Sequence, residues 1–178
     1  MQDRDIMDNM LEVMESRFFG KYRGIVQNNV DPTGRGRLAV IVPAVMGETA
    51  VWALPCVPYA GKDVGFFALP DAGTGVWVEF EAGDPSYPIW VGCFWADGEI
   101  PKQDAVPEVK FIRTKKITIR IDDTVGELVI ENAAGSSFKL TPQAISQESK
   151  TITNQVGTKK TELTPVHFDV HNGALTVV

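Results

Sequence analysis

The 178-residue sequence is short of several things, and each shortage narrows what the chain can do. It has two cysteines, Cys56 and Cys93, too few for a disulfide framework. Both lie among apolar neighbours (Leu-Pro-Cys-Val and Val-Gly-Cys-Phe), so buried free thiols are expected, with a disulfide between them left open. No apolar run approaches the ~20 residues that span a bilayer, so no transmembrane helix is expected. Residues 1–14 are acidic and broken by Asp3, Asp5 and Asp8; they have neither the basic start nor the apolar centre of a signal peptide. Lys and Arg number 17 against 23 Asp and Glu, a net charge of −6. Phosphate backbones select a basic face, so nucleic acid is not an expected partner. With 44% hydrophobic and 22% charged residues, the chain has the composition of a folded protein rather than a disordered one.

What is present falls into zones. Residues 1–17 hold four of the five methionines. Ile6, Met10 and Met14 are spaced by four, as are Met7 and Leu11, which predicts a short amphipathic helix with acidic residues on its other side. A helix this short is marginal alone, so its apolar stripe is expected to dock on something. Residues 18–100 hold all four tryptophans and all three tyrosines. Here short apolar stretches alternate with Gly and Pro: Gly24 to Val26, Leu38 to Val42, Val51 to Leu54, Val76 to Phe80, and Ile89 to Phe94. About five strands separated by turns predict a small barrel or sandwich. The stretch between Tyr59 and Phe66 is the one place in this zone where a helix fits.

After about residue 110 the composition changes. Residues 1–109 carry 8 basic and 16 acidic groups, net −8; residues 110–178 carry 9 and 7, net +2. Apolar residues recur with period two: Ile117, Ile119, Ile121; Leu128, Ile130; Phe138, Leu140; Ile152, Val156; Val166, Phe168, Val170; Leu175, Val177. Turn signals separate them at Asp122-Asp123, Asn132 to Gly135, Thr141-Pro142, Gly157 and Asn172-Gly173, giving a strand-and-turn repeat of about ten residues. Some six strands of this kind, each with two or three apolar side chains on one face, make a thin sheet with open edges. Their burial offsets the ordering entropy only if another sheet covers them, and nothing else in the sequence does so. Self-association of three copies into a triangular prism is the economical solution. A second small sandwich within one protomer is the alternative.

The middle zone resembles a known family. The residues that carry the resemblance run from Gly24-Ile25-Val26-Gln27-Asn28-Asn29-Val30-Asp31-Pro32-Thr33-Gly34-Arg35-Gly36-Arg37-Leu38 through Trp52 to Pro55, Pro58-Tyr59-Ala60-Gly61 and Phe66 to Pro70. They continue through Gly75 to Phe80, Gly83-Asp84-Pro85 and Pro88 to Gly92. In order and spacing this is similar to the oligonucleotide/oligosaccharide-binding (OB) fold domain of contractile-injection spikes: phage baseplate assembly protein V and the VgrG proteins of type VI secretion. The resemblance implies an all-β architecture with a short N-terminal helix (1–17), a five-stranded OB-fold barrel (18–100), a linker (101–112, with Pro101 and Pro107) and an intertwined triangular β-helix formed by a homotrimer (113–178). It implies a structural spike assembled in the cytoplasm, carried in a baseplate and driven into a target-cell envelope. A separate hub protein is then expected to contact Ile6, Met10 and Met14. A PAAR-type tip protein is expected at Ala174, Leu175, Thr176, Val177 and Val178, the apolar stretch that would cap a three-fold rod.

Other chemistry is weaker. Some spikes of that family hold an iron ion through His-x-His, whereas this chain has His167-x-x-x-His171. In one strand those two share a face but lie about 13 Å apart, and the apolar alternation of Val166, Phe168 and Val170 turns them outward. No cofactor is expected; His167 and His171 are tip ligands only if the faces are inverted. Asp122-Asp123 sits at a turn, and Glu79 with Glu81 on a solvated strand face, without a recognisable catalytic partner, so an envelope-degrading enzyme is not expected. Tyr59, Phe66 and Trp95 could stack bases in a monomeric ligand- or nucleic-acid-binding module, but they read as barrel core.

Overall fold

Gly24 and Val26 alternate with exposed residues along β1 (Tyr22–Asn28) and turn inward, and this alternation starts a barrel. A computed structural model describes Met10, Met14 and residues 16–178. The chain divides into two units, one ending at Glu99 and one beginning at Ile100.

In the first unit, β2 (Leu38–Ile41), β3 (Ala50–Pro55), β6 (Gly75–Phe80) and β7 (Pro88–Cys93) join β1 in a closed barrel of order β1-β2-β3-β7-β6. All ladders are antiparallel except β3 with β7. In β6, Val76, Val78 and Phe80 face inward and alternate with half-buried residues, the period-two pattern of a one-sided strand. With Val26, Leu38, Val40, Val42, Ala53 and Trp90 they form one core. Phe18 and Tyr22 close one side of it, their ring centroids 6.1 and 5.6 Å from that of Phe80.

The β1–β2 loop is built on Asp31. Its Oδ1 accepts from Thr33 N at 2.9 Å and from Arg37 Nη2 at 2.8 Å, and its Oδ2 accepts from Arg35 N at 2.9 Å. Arg37 in turn lies over the Trp52 ring, 5.0 Å from its centroid. The hydrogen bond from Arg37 is the main reason the Asp31 carboxyl sits well below the usual carboxylate range. Gly34 and Gly36 take positive φ, 64° and 72°, and the Gly36 carbonyl accepts the indole N–H of Trp90 at 3.2 Å. The loop is thereby tied to the core. Asp31→Ala is expected to speed amide exchange at Thr33, Arg35 and Arg37 about tenfold or more, because all three backbone amides donate to this one carboxylate. Unchanged exchange at these amides would contradict the clamp.

Three expectations for this unit need correction. The stretch from Tyr59 to Phe66 is a small hairpin, β4 (Ala60–Gly61) with β5 (Val64–Gly65), and not a helix. Its Asp63 turns at φ 59°, which a helix does not accommodate. A single α-helical turn, α1 (Pro43–Met46), follows β2 instead. Cys56 and Cys93 are free but exposed, because they fall at or just beyond strand ends, where apolar neighbours in sequence are not neighbours in the core. Tyr59, Phe66 and Trp95 are also exposed rather than core.

The second unit is two antiparallel meanders. The first runs β8 (Val109–Arg113), β9 (Ile117–Asp122), β10 (Glu127–Asn132), β11 (Ser137–Leu140) and β12 (Ile145–Glu148). The second runs β13 (Ile152–Val156), β14 (Lys159–Leu163), β15 (Phe168–Val170) and β16 (Leu175–Val177). There are thus nine strands where about six were expected, and β8 begins inside the stretch read as linker. The turns fall at the five expected places. Of residues 1–17, Met10 and Met14 are helical and exposed; the rest of the expected helix, Ile6 included, lies outside the described residues, apart from residues 16 and 17.

Candidate functional site

Cross-strand partners share a face of a sheet, so the registers sort every side chain of the second unit. Ile119 pairs with Ile112 and Ile130, Leu128 with Ile121 and Leu140, Ile130 with Phe138, and Leu140 with Ile145. These, with Ile117, make one predominantly apolar face across all five strands of the first sheet, with Lys110, Asn132 and Gln147 at its margins. The opposite face carries Arg113, Thr118, Arg120, Asp122, Glu127 and Lys139, with Val109, Phe111 and Val129 among them. The second sheet repeats the division. Ile152 pairs with Leu163, Leu163 with Phe168, Phe168 with Val177 and Val170 with Leu175, while Lys160, Glu162, Asp169 and Thr176 face the other way.

Neither apolar face is covered. Not one apolar side chain in residues 100–178 is buried, whereas ten in the first unit are. Ile112 is 65% exposed, Ile145 67% and Val156 84%. Scattered exposed apolar residues are ordinary, but a contiguous face of this length marks a contact surface. A sandwich within one protomer would bury these residues against each other, so the two sheets do not form one.

The polar face is held by ion pairs. Asp104, 4% exposed, is the only buried residue of this unit. Arg120 Nε donates to its Oδ1 at 3.0 Å, and Arg113 Nη2 lies 2.9 Å from its Oδ2 in a Coulombic contact without good hydrogen-bond alignment. Arg120 also reaches Asp122 at 3.0 Å. The hydrogen bond from Arg120, joined by Arg113 and opposed by burial, holds the Asp104 carboxyl below its ordinary value. A carboxyl depressed in the folded state stabilises at pH values above its unfolded pKa, about 3.9, and that stabilisation is lost as pH falls through the folded value. The thermal midpoints of the parent and of Asp104→Asn are therefore expected to differ most at neutral pH, by the equivalent of about 2 kcal/mol. They should begin to converge only as pH falls below about 4, and continue to do so through the depressed value of the folded state. Parallel profiles would contradict the assignment.

The other expected site residues are dispersed. His167 lies before β15 and His171 in the turn after it, at φ 55°, so they are not on one strand as expected. His167 Nδ1 is 3.1 Å from Thr164 Oγ1, and His171 Nε2 is 2.8 Å from Lys159 Nζ. Among the described residues no group of three or more His, Cys, Asp or Glu could hold a metal ion. Glu79 pairs with Lys21, and Asp123 with Lys110. Leu175, Val177 and Val178 are exposed, with Leu175 and Val177 on the apolar face of β16. Tyr59 and Phe66 line a cavity of about 330 Å³ beside the β1–β2 loop, which Trp95 does not join.

Ile145 and Leu163 belong to the apolar faces but stand alone among polar neighbours, and Ile112 follows Phe111 directly, so alternation did not single them out. The ten-residue repeat was the available signal, since it leaves room for strands at 145 and 159. Asp104 had no sequence signal: its arginines lie 9 and 16 residues further on, and only the β8–β9 hairpin brings them together.

No curated protein matches the chain. Residues 22–95, which contain all five barrel strands but less than half of the chain, match the family described as the type VI secretion system/phage-baseplate injector OB domain. The five-stranded barrel that the resemblance implied is present and closed, and the residues that form it match the type VI secretion system/phage-baseplate injector OB-domain family.

Proposed function

We propose that this chain is the central spike of a contractile injection system, a non-enzymatic structural component that acts as a homotrimer. The observation that carries the reading is the pair of consecutive one-sided sheets, with no apolar side chain buried, following directly on an injector OB domain. Three copies arranged as a triangular prism place the two apolar faces of each protomer, nine strands in all, around one axis and leave the ion-paired faces in water. Rigidity then comes from backbone ladders and from burial that cannot be lost one chain at a time.

In this arrangement the barrel is a collar at the base, and the prism is the part that enters the target-cell envelope. The stripe of Ile6, Met10 and Met14 contacts a hub protein of the baseplate. Residues 174–178, at the end of the prism, contact a PAAR-type tip protein. A monomeric ligand-binding module is less well supported, because it leaves every apolar side chain of the second unit in contact with water.

Gold-labelled antibody against this chain tests the role on contractile tail particles from producing cells. Label confined to the baseplate end of the particle supports a spike. Label along the sheath, or none on intact particles, removes the reading.

A further inference from the structure

We propose that Asn154 and Thr161 form a polar layer through which three copies of this chain recognise one another in a single register; this rests on the trimeric reading above. Asn154 is the third of the five residues of β13, and it pairs with Thr161, the third of the five residues of β14. Its Nδ2 lies 3.5 Å from Thr161 Oγ1. The pairs on either side are Ile152 with Leu163 and Val156 with Lys159, and Thr161 pairs onward with Val170. Two uncharged polar side chains thus sit at mid-strand between Ile152, Val156, Leu163 and Val170, with Lys159 also beside them. The corresponding row of the first sheet is Ile112, Ile119, Ile130 and Phe138, with Gln147 on its edge strand.

The chemistry of the pair selects its occupant. A lipid surface or an apolar partner would leave the amide and the hydroxyl without hydrogen bonds, at a cost for each. A second copy of the same face does not. An amide carries both donor and acceptor, so around a three-fold axis each Asn154 can donate to the next and accept from the one before. Apolar layers alone tolerate slippage of one copy past another. A polar layer flanked by aliphatic ones does not, because displacement buries it against aliphatic side chains; the same device sets register in helical coiled coils, at some expense of stability. Lys159 is the charged side chain beside the pair on this face, with His171 against it, and neither Asn154 nor Thr161 touches an acid.

The test uses the full chain and reads solution mass and thermal midpoint. Asn154→Lys sets three ammonium groups together with no acid on the face, and it is expected to abolish the trimeric mass. Thr153→Lys, one residue away on the opposite face, should leave mass and midpoint unchanged. Asn154→Val, which folds without a new charge, should raise the midpoint and spread the single trimeric mass into a mixture. Trimers of Asn154→Lys as stable as those of Thr153→Lys would overturn the inference, as would an Asn154→Val chain that keeps one trimeric mass or melts lower than the parent. A parent chain with the mass of one protomer would instead refute the trimer itself.

Discussion

An aspartate in place of Ile119 is expected to dismantle the second unit. Ile119 lies on the middle of three consecutive strands, opposite Ile112 on one side and Ile130 on the other. In the proposed prism three copies of this position approach one axis. Moving an aliphatic side chain of this size from water into apolar contact is worth about 1.5–3 kcal/mol, and the substitution loses that three times over. It also demands that three carboxylates enter a dry interior, at several kcal/mol for each ion. Together these exceed the ~5–15 kcal/mol that holds an ordinary domain folded. Limited trypsin digestion reads the result, because residues 110–178 contain nine Lys and Arg. The parent should resist at these sites and the Ile119→Asp chain should be cut at them, while the barrel survives on its own core. Ser146→Asp, whose side chain lies on the opposite face of the sheet, should behave as the parent does. Equal resistance of all three chains would mean that the apolar face is not buried.

Leu38→Ala should have the largest effect of any single substitution in the barrel. Leu38 is fully buried and begins β2, where it pairs with Ala53 and meets the side chains of a core drawn from all five strands. Truncation removes about three methylene-sized groups and leaves a cavity. Closed ladders on both sides of β2 prevent the wall from moving in to fill it. The expected cost is about 2–5 kcal/mol. All four tryptophans lie between residues 52 and 95, so their fluorescence in a urea titration reports the barrel alone. A midpoint shifted by less than the equivalent of ~1 kcal/mol would contradict the packing described for this position.

The barrel was legible because its strands are short apolar stretches punctuated by Gly and Pro, and several of them alternate. Val76, Val78 and Phe80 turn inward just as their spacing implies. The hairpin at residues 60–65 was not legible, since its strands are two residues long and offer no period to read. The Asp31 turn was visible as turn chemistry, but its clamp on Arg37 depends on side-chain reach within a folded loop. In the second unit the apolar alternation located six of the nine strands and the side of each that would need cover. It missed β12 and β14, where one apolar residue stands among polar ones, and β8, where Phe111 and Ile112 are adjacent and break the alternation. The cysteines were misplaced for a related reason: apolar sequence neighbours indicate burial in mid-strand and not at a strand end. Asn154 drew no notice in the sequence because an asparagine in a polar stretch is unremarked until the register shows which face it shares.

The central claim is that the apolar faces of residues 109–177 are covered by two further copies of the same chain. Light scattering on the unaltered protein as it elutes from a sizing column measures this directly. The mass should be three times 19.5 kDa and should hold on dilution. A mass of 19.5 kDa at every concentration would contradict it.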